Sequence, residues 1–305
     1  MKNFINIRDI LTKDLKKIIS DAKKRKSKRK KLNYLEPDRD IPLKGKFLIQ
    51  MFEKSSTRTR LSFYLAIRQL GGGALNLRKD ELHFGEGGES IHDTAKILSN
   101  YGDIFMLRTD SDKKLEEFKK YINIPIINGL SPSSHPTQIL SDIFTIEEIL
   151  GSIDKQKITW VGDINNVLIS LLQASHIFRF RLKIASPKAL LLKNRSLINK
   201  FKSKNISFCS DPIEAVKGTD CVMTDVWVSM GEKKSVKKKK IFKNFQVNEN
   251  LMRHTHKKTI FMHCLPAHRN EEVVDSVIDS KKSVVWQQAQ NRMYVQQSIL
   301  NYCIL

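Results

Sequence analysis

KFLIQMFEKSSTRTRLSFYLAIRQLGGG, residues 46–73, holds a full strand-to-helix passage. Residues 47–52 form a short, almost continuously apolar run, the pattern of a strand buried on both faces of a parallel sheet. Residues 56–70 carry apolar positions at helical spacing and stop at three glycines. Between them, 55-SSTRTR-60 sets Ser56 where a helix N-cap belongs. A helix start offers unpaired N–H groups and a positive dipole end, and that combination binds anions. Ser56, Thr57 and Thr59 add hydroxyls, and Arg58 adds a planar fork suited to phosphate or carboxylate. A plain capped helix with surface arginines is the other reading of the same residues. The turn lacks the GxxxxGK[ST] glycines of a nucleotide P-loop, so it does not imply ATP or GTP.

The same alternation continues outward. Short apolar runs at 104–108, 124–128, 157–162, 182–186, 221–226, 259–264 and 284–287 predict strands. Helical patterns at 12–30, 90–101, 112–121, 136–150, 166–178, 189–203, 212–217, 248–254 and 288–303 lie between them. This is the signature of an α/β fold with mainly parallel sheets covered by helices. At 305 residues the chain predicts two domains. The boundary falls near residue 145, on a helix at 136–150 long enough to bridge them, giving domains 1–145 and 146–287. In such sheets ligands bind beyond the carboxyl ends of the strands. Arg108, Asp225 and Cys264 lie at the carboxyl ends of predicted strands, and the anion turn follows one.

Composition narrows the classes. The net charge of +22 raises nucleic-acid binding as a possibility. The lysines are scattered, the denser runs 23-KKRKSKRKK-31 and 233-KKSVKKKK-240 carry no interleaved aromatics, and no RNP, zinc-finger or helix-turn-helix pattern is present. A solvated basic surface around an anion site is the better reading. No apolar run approaches the roughly 18 residues of a membrane span, and the amphipathic N-terminus does not read as a signal peptide. Cys209, Cys221, Cys264 and Cys303 show no CxxC pairing, which favours reduced thiols in a cytoplasm over disulfides or zinc.

Three further stretches carry chemistry. In 131-SPSSHPTQ-138, Pro136 suits a first helical turn, and His135 and Gln138 can face one cleft and polarise a carbonyl; a cap with a surface histidine is the alternative. In 225-DVWVSMG-231 a carboxylate at a strand end can orient an amine, or the stretch is a plain turn. In 263-HCLPAHR-269 the spacing fits no standard zinc pattern. His263 and Cys264, adjacent on a strand, point to opposite faces, so His263 is poorly placed as a base for a cysteine nucleophile.

FEKSSTRTR, SPSSHPTQ, GDINNV, DVWVSMG, HCLPAHR and QAQNR stand in the order found in ornithine carbamoyltransferases, and over nearly its whole length the chain resembles that branch of the aspartate/ornithine carbamoyltransferase family. The resemblance implies transfer of the carbamoyl group from carbamoyl phosphate to the δ-amine of L-ornithine, giving L-citrulline and phosphate, without cofactor or metal. It implies carbamoyl phosphate on Ser56, Thr57, Arg58, Thr59 and Arg108, with His135 and Gln138 at the carbamoyl group and Arg292 at its carbonyl. Arg58, Thr59 and Arg108 would polarise that carbonyl. Ornithine would meet Asn166, Asp225, Ser229 and Met230. Cys264 and the carbonyl of Leu265 would face the reacting amine and the carbamoyl nitrogen. It further implies a homotrimer with sites at subunit interfaces, His83 reaching in from a neighbouring chain, and a C-terminal helix, 288–305, packed back on the first domain.

Three features depart from the family pattern. The loop 80-DELHFGEGGES-90 is about one residue longer than usual. Gln288 and Gln290 replace two glutamates. The lysines of 233–240, on the segment expected to close over ornithine, predict a local positive potential that opposes a cationic substrate. Another amine acceptor (aspartate, putrescine or N-acetylornithine) is the alternative within the family.

Overall fold

The computed structural model describes residues 2–78, 88–228 and 236–305, the side chain of Lys237 excepted. The chain divides into two compact units, Met1–Phe144 with Gln290–Leu305, and Thr145–Ala289.

The first unit holds α1 (Thr12–Lys28), β1 (Phe47–Phe52), α2 (Thr57–Gln69), β2 (Gly73–Arg78), α3 (Ile91–Tyr101), β3 (Ile104–Arg108), α4 (Asp112–Tyr121) and β4 (Ile126–Leu130). α5 (Pro136–Leu150) crosses the boundary into the second unit. That unit continues with β5 (Lys157–Val161), α6 (Asn166–Phe178), β6 (Arg181–Ala185), α7 (Lys188–Lys193), α8 (Arg195–Phe201), β7 (Ile206–Cys209), α9 (Pro212–Val216), β8 (Cys221–Thr224), α10 (Val236–Phe242), α11 (Glu249–Arg253), β9 (Ile260–His263) and α12 (Asp275–Ile278). α13 (Val285–Ile304) carries the chain back into the first unit from Gln290 onward.

Both sheets are parallel. The first runs β2-β1-β3-β4 and the second β7-β6-β5-β8-β9. β3 and β8 are buried at every residue, which is why their sequences are apolar without alternation. Each order reverses once: the chain moves outward from β1 to β2 and then returns to the other side of β1, and it moves from β5 through β6 to β7 and returns beside β5. Ligands of open α/β sheets sit at such reversals, beyond the strand ends. The residues that follow β1 and β3, and those that follow β5 and β8, therefore occupy the favoured places.

Two strands escaped the sequence reading. β2 and β7 are edge strands, each only partly buried, and lack the continuous apolar run that marks a central strand. The strand expected at 284–287 is instead the first turn of α13, with Val285 buried and Trp286 61% exposed. A four-residue apolar run does not separate strand from helix by periodicity. The helix expected over 189–203 is two, meeting at Asn194.

In the first unit a buried ion cluster ties α1 to the loop before β1. Arg25 and Arg29 both donate to Asp38, and all three are nine-tenths buried. Lys26 Nζ donates to Asn291 Oδ1 at 2.7 Å, joining α1 to α13. These contacts set the last helix against the first unit and so place Arg292.

Candidate active site

Ser56 caps α2 as its sequence predicts: its Oγ accepts from Thr59 N–H at 3.4 Å, a cap worth about 1 kcal/mol. Arg108, the last residue of β3, lies opposite Phe52 in the parallel register. It reaches the same turn, donating from Nη1 to Ser56 Oγ at 3.0 Å and to Thr59 Oγ1 at 3.4 Å. From α13, Arg292 donates through Nη2 to Thr59 Oγ1 at 2.7 Å and through Nη1 to Gln138 Oε1 at 2.5 Å. Arg108 and Arg292 are 7% and 3% exposed. Two buried guanidiniums thus converge on one buried hydroxyl, an arrangement suited to an anion. Thr57 is exposed and Arg58 half-buried at the mouth of the turn.

His135 precedes α5 and is buried. Its pKa lies well below 6.5, first because burial disfavours the imidazolium and then because Arg292, Arg108 and Arg58 repel it. The ring is therefore a neutral donor. The shift also brings Arg58 into the same electrostatic neighbourhood as the other two arginines. Gln138, one turn into α5, donates to Asp142 Oδ1 at 2.8 Å, so its amide oxygen faces Arg292.

A buried carboxylate, which sequence reading passed over, joins the two strand ends. Glu53 follows β1; its N–H donates to Arg108 O at 2.9 Å. Its side chain accepts from Thr109 Oγ1, from Asp110 N–H at 3.2 Å and from Lys114 Nζ at 2.6 Å. Burial opposes the Glu53 charge, but the hydrogen bonds from Lys114, Thr109 and Asp110 outweigh it and hold its pKa below the ordinary carboxylate value.

In the second unit, Asp225 follows β8 and is buried. Its Oδ2 accepts from Asn165 Nδ2 at 2.8 Å and its Oδ1 from Cys264 Sγ at 3.1 Å. Asn165 is the N-cap of α6, accepting from Val167 and Leu168 N–H at 3.1 Å each. Asn166, the residue predicted for the site, is the first residue of α6, beside that cap. Gly162 opens the turn at φ +142°, a conformation that disfavours any side chain. Asp225, Asn165 and Cys264 form one polar group at the carboxyl ends of β5, β8 and β9. Leu265 follows with φ +58° and a cis bond to Pro266.

The lysine run contributes less free charge than its sequence suggests. Lys238 pairs with Asp163 at 2.8 Å, and Lys239 pairs with Glu271. The donor atoms of Asp225, His263 and Cys264 lie within 4.8 Å of one another, a group of the kind that can hold a metal. His263 Nδ1, however, accepts from Leu265 N–H at 2.8 Å and Nε2 meets Glu272 Oε1 at 3.1 Å. Both ring nitrogens are engaged, which leaves two ligands of this group among the described residues where zinc takes four. His83, Ser229 and Met230 lie outside the described residues.

The chain matches two family descriptions: residues 2–148 "Aspartate/ornithine carbamoyltransferase, carbamoyl-P binding domain" and residues 154–303 "Aspartate/ornithine carbamoyltransferase, Asp/Orn binding domain". It is 44% identical to the ornithine carbamoyltransferase of Rhodopseudomonas palustris, over 99% of this chain and 96% of that one. Among solved structures it resembles ornithine carbamoyltransferase from Pyrococcus furiosus, with TM-score 0.89 and 40% identity over 99% of this chain and 97% of that one. It also resembles the anabolic enzyme of Campylobacter jejuni, with TM-score 0.87 and 36% identity over 99% of each chain.

Proposed function

The chain belongs to the aspartate/ornithine carbamoyltransferase family, and we propose that it transfers the carbamoyl group of carbamoyl phosphate to the δ-amine of L-ornithine, giving L-citrulline and phosphate. The observation that carries this reading is the convergence of Arg108 and Arg292 on Thr59, beside a neutral His135. A dianionic phosphate suits the arginines and the start of α2. A carbonyl oxygen suits the neutral imidazole and Arg292. The amide oxygen of Gln138 is an acceptor for the carbamoyl NH2.

The chemistry needs no added group. The amine lone pair attacks the carbonyl carbon and the C=O electrons move to oxygen. The C=O then re-forms as the C–O bond to phosphate breaks, and the proton lost by the amine nitrogen passes to the departing phosphate. Phosphate is already a good leaving group, so the protein supplies position and charge stabilisation. Arg58, Arg108 and Arg292 oppose the charge on the carbonyl oxygen and the departing phosphate. Ser56, Thr57 and Thr59 complete the phosphate contacts. On the acceptor side, Asp225 and Cys264 face the amine and the Leu265 carbonyl takes the carbamoyl N–H, while Asn166, Ser229 and Met230 hold the rest of ornithine.

Family membership also supports a homotrimer, with His83 of one chain serving the next. The exposed Leu61, Leu75, Ile97 and Tyr101 of α2, β2 and α3 supply apolar surface for such an assembly. No helix among the described residues is long and apolar enough to cross a membrane.

The test is an amine panel. With carbamoyl phosphate saturating, L-ornithine, L-aspartate, putrescine and N-acetylornithine are offered separately and the ureido product measured. Turnover with ornithine alone is expected. Preference for another amine would retain the phosphate cradle and overturn the assignment of Asp225 and its neighbours to ornithine.

A further inference from the structure

Glu272 is fully buried, as is His263, and neither belongs to the substrate contacts assigned above. Glu272 Oε1 accepts from His268 N–H at 2.6 Å and meets His263 Nε2 at 3.1 Å. One carboxylate oxygen therefore clips both ends of the loop 263–268. The other face of the imidazole completes the link: His263 Nδ1 accepts from Leu265 N–H at 2.8 Å. A nitrogen that accepts an N–H carries no proton, so the proton of this ring sits on Nε2, aimed at Glu272. The hydrogen bond to His263 turns the Cys264–Leu265 peptide back toward the strand and holds Leu265 at φ +58°, a backbone region costly for a non-glycine residue. Cys264, between these anchors, presents its Sγ to Asp225 Oδ1 at 3.1 Å. Gln288 braces the same strand end by accepting from His263 N–H at 3.0 Å.

We propose that Glu272 is a positioning residue: acting through His263, it shapes the 264–266 loop so that Cys264 and the Leu265 carbonyl are held where the amine acceptor is bound. The role of the loop rests on the carbamoyl-transfer reading, whereas its shape does not. Loss of the clip would leave the ring Nε2–H of His263 and the backbone N–H of His268 without the Glu272 acceptor in a dry setting, and the loop would relax from its left-handed turn. Glu272→Gln keeps an acceptor oxygen and is the conservative replacement. The double variant His263→Phe with Glu272→Leu removes the whole polar link while filling its volume with apolar atoms, an exchange that buried polar pairs often tolerate.

The experiment measures two quantities on folded wild-type, Glu272→Ala, Glu272→Gln and double-variant protein: the rate of Cys264 alkylation by iodoacetamide, resolved by peptide mass, and the separate KM values for ornithine and carbamoyl phosphate. Glu272→Ala and the double variant are expected to change alkylation of Cys264 several-fold and to raise the ornithine KM about tenfold or more, as small misplacements at reacting centres do. The carbamoyl phosphate KM should stay within about twofold and Glu272→Gln should lie close to wild type, since its acceptor is kept. A folded double variant with wild-type alkylation and KM values would overturn the proposal. So would failure of both disruptive variants to fold, since a purely structural role would then account for Glu272. If wild-type protein turns over no amine, the functional reading fails, while the alkylation rates still decide the role of the clip.

Discussion

Arg292 donates to Thr59 at 2.7 Å across 233 positions of the chain. The contact brings the last helix onto the first turn of α2, so the proposed phosphate cradle is complete only with that helix in place. Arg292→Ala should lower kcat/KM for carbamoyl phosphate about 100-fold, near 3 kcal/mol, as removal of an oxyanion donor does. Arg292→Lys should recover little of it, because an ammonium does not reach Thr59 and Gln138 together. Arg58→Gly should show a loss of similar size. Initial rates at varied carbamoyl phosphate give these values, and near-wild-type rates would remove the arginines from the chemistry.

Asp225 accepts from both Asn165 and Cys264. Asp225→Asn keeps the shape and removes the charge. It should weaken ornithine by about tenfold or more, the worth of a hydrogen bond to a charged group. Calorimetry should find carbamoyl phosphate binding unchanged. Cys264→Ala should alter the pH dependence of kcat/KM for ornithine, and an unaltered profile would remove the thiol from the amine contacts.

His135 is neutral in the folded protein, with its pKa depressed below 6.5. The unfolded chain takes up this proton more readily, so the contribution of His135 to stability is present above pH 6.5 and is lost as the pH falls below it. The slope reaches at most about 1.4 kcal/mol per pH unit. Urea unfolding between pH 7.5 and 5.5 should show wild type losing more stability than His135→Gln. Equal losses would place the titration elsewhere.

Asp38 accepts from Arg25 and Arg29. Asp38→Ala leaves two buried guanidiniums without it and should cost about 3–5 kcal/mol. Chemical denaturation measures this directly. A change under 1 kcal/mol would mean that water or the neighbouring Asp21 replaces the lost carboxylate.

Much of the site is written in short stretches. Ser56 caps α2 because a hydroxyl residue precedes an apolar helical pattern, and Arg108 ends an apolar strand. Local sequence is silent on what depends on distant packing. Asn165 and Asn166 are the same residue type at a helix start; only the fold shows that Asn165 turns back to Asp225. Glu53 reads as an ordinary strand-end acid until Thr109 and Lys114 arrive beside it. The partnership of His263 with Glu272 spans a loop whose left-handed Leu265 no pattern announces. β2 and β7 were hidden for a different reason: edge strands bury too little to need a continuous apolar run.

Transfer of a labelled carbamoyl carbon tests the central claim most directly. Purified protein is given 13C-carbamoyl phosphate and L-ornithine, and the label is followed by NMR beside phosphate release. The account predicts that the label moves into the ureido carbon of citrulline, with one phosphate released for each citrulline formed. Phosphate release without labelled citrulline, or no turnover, would contradict it.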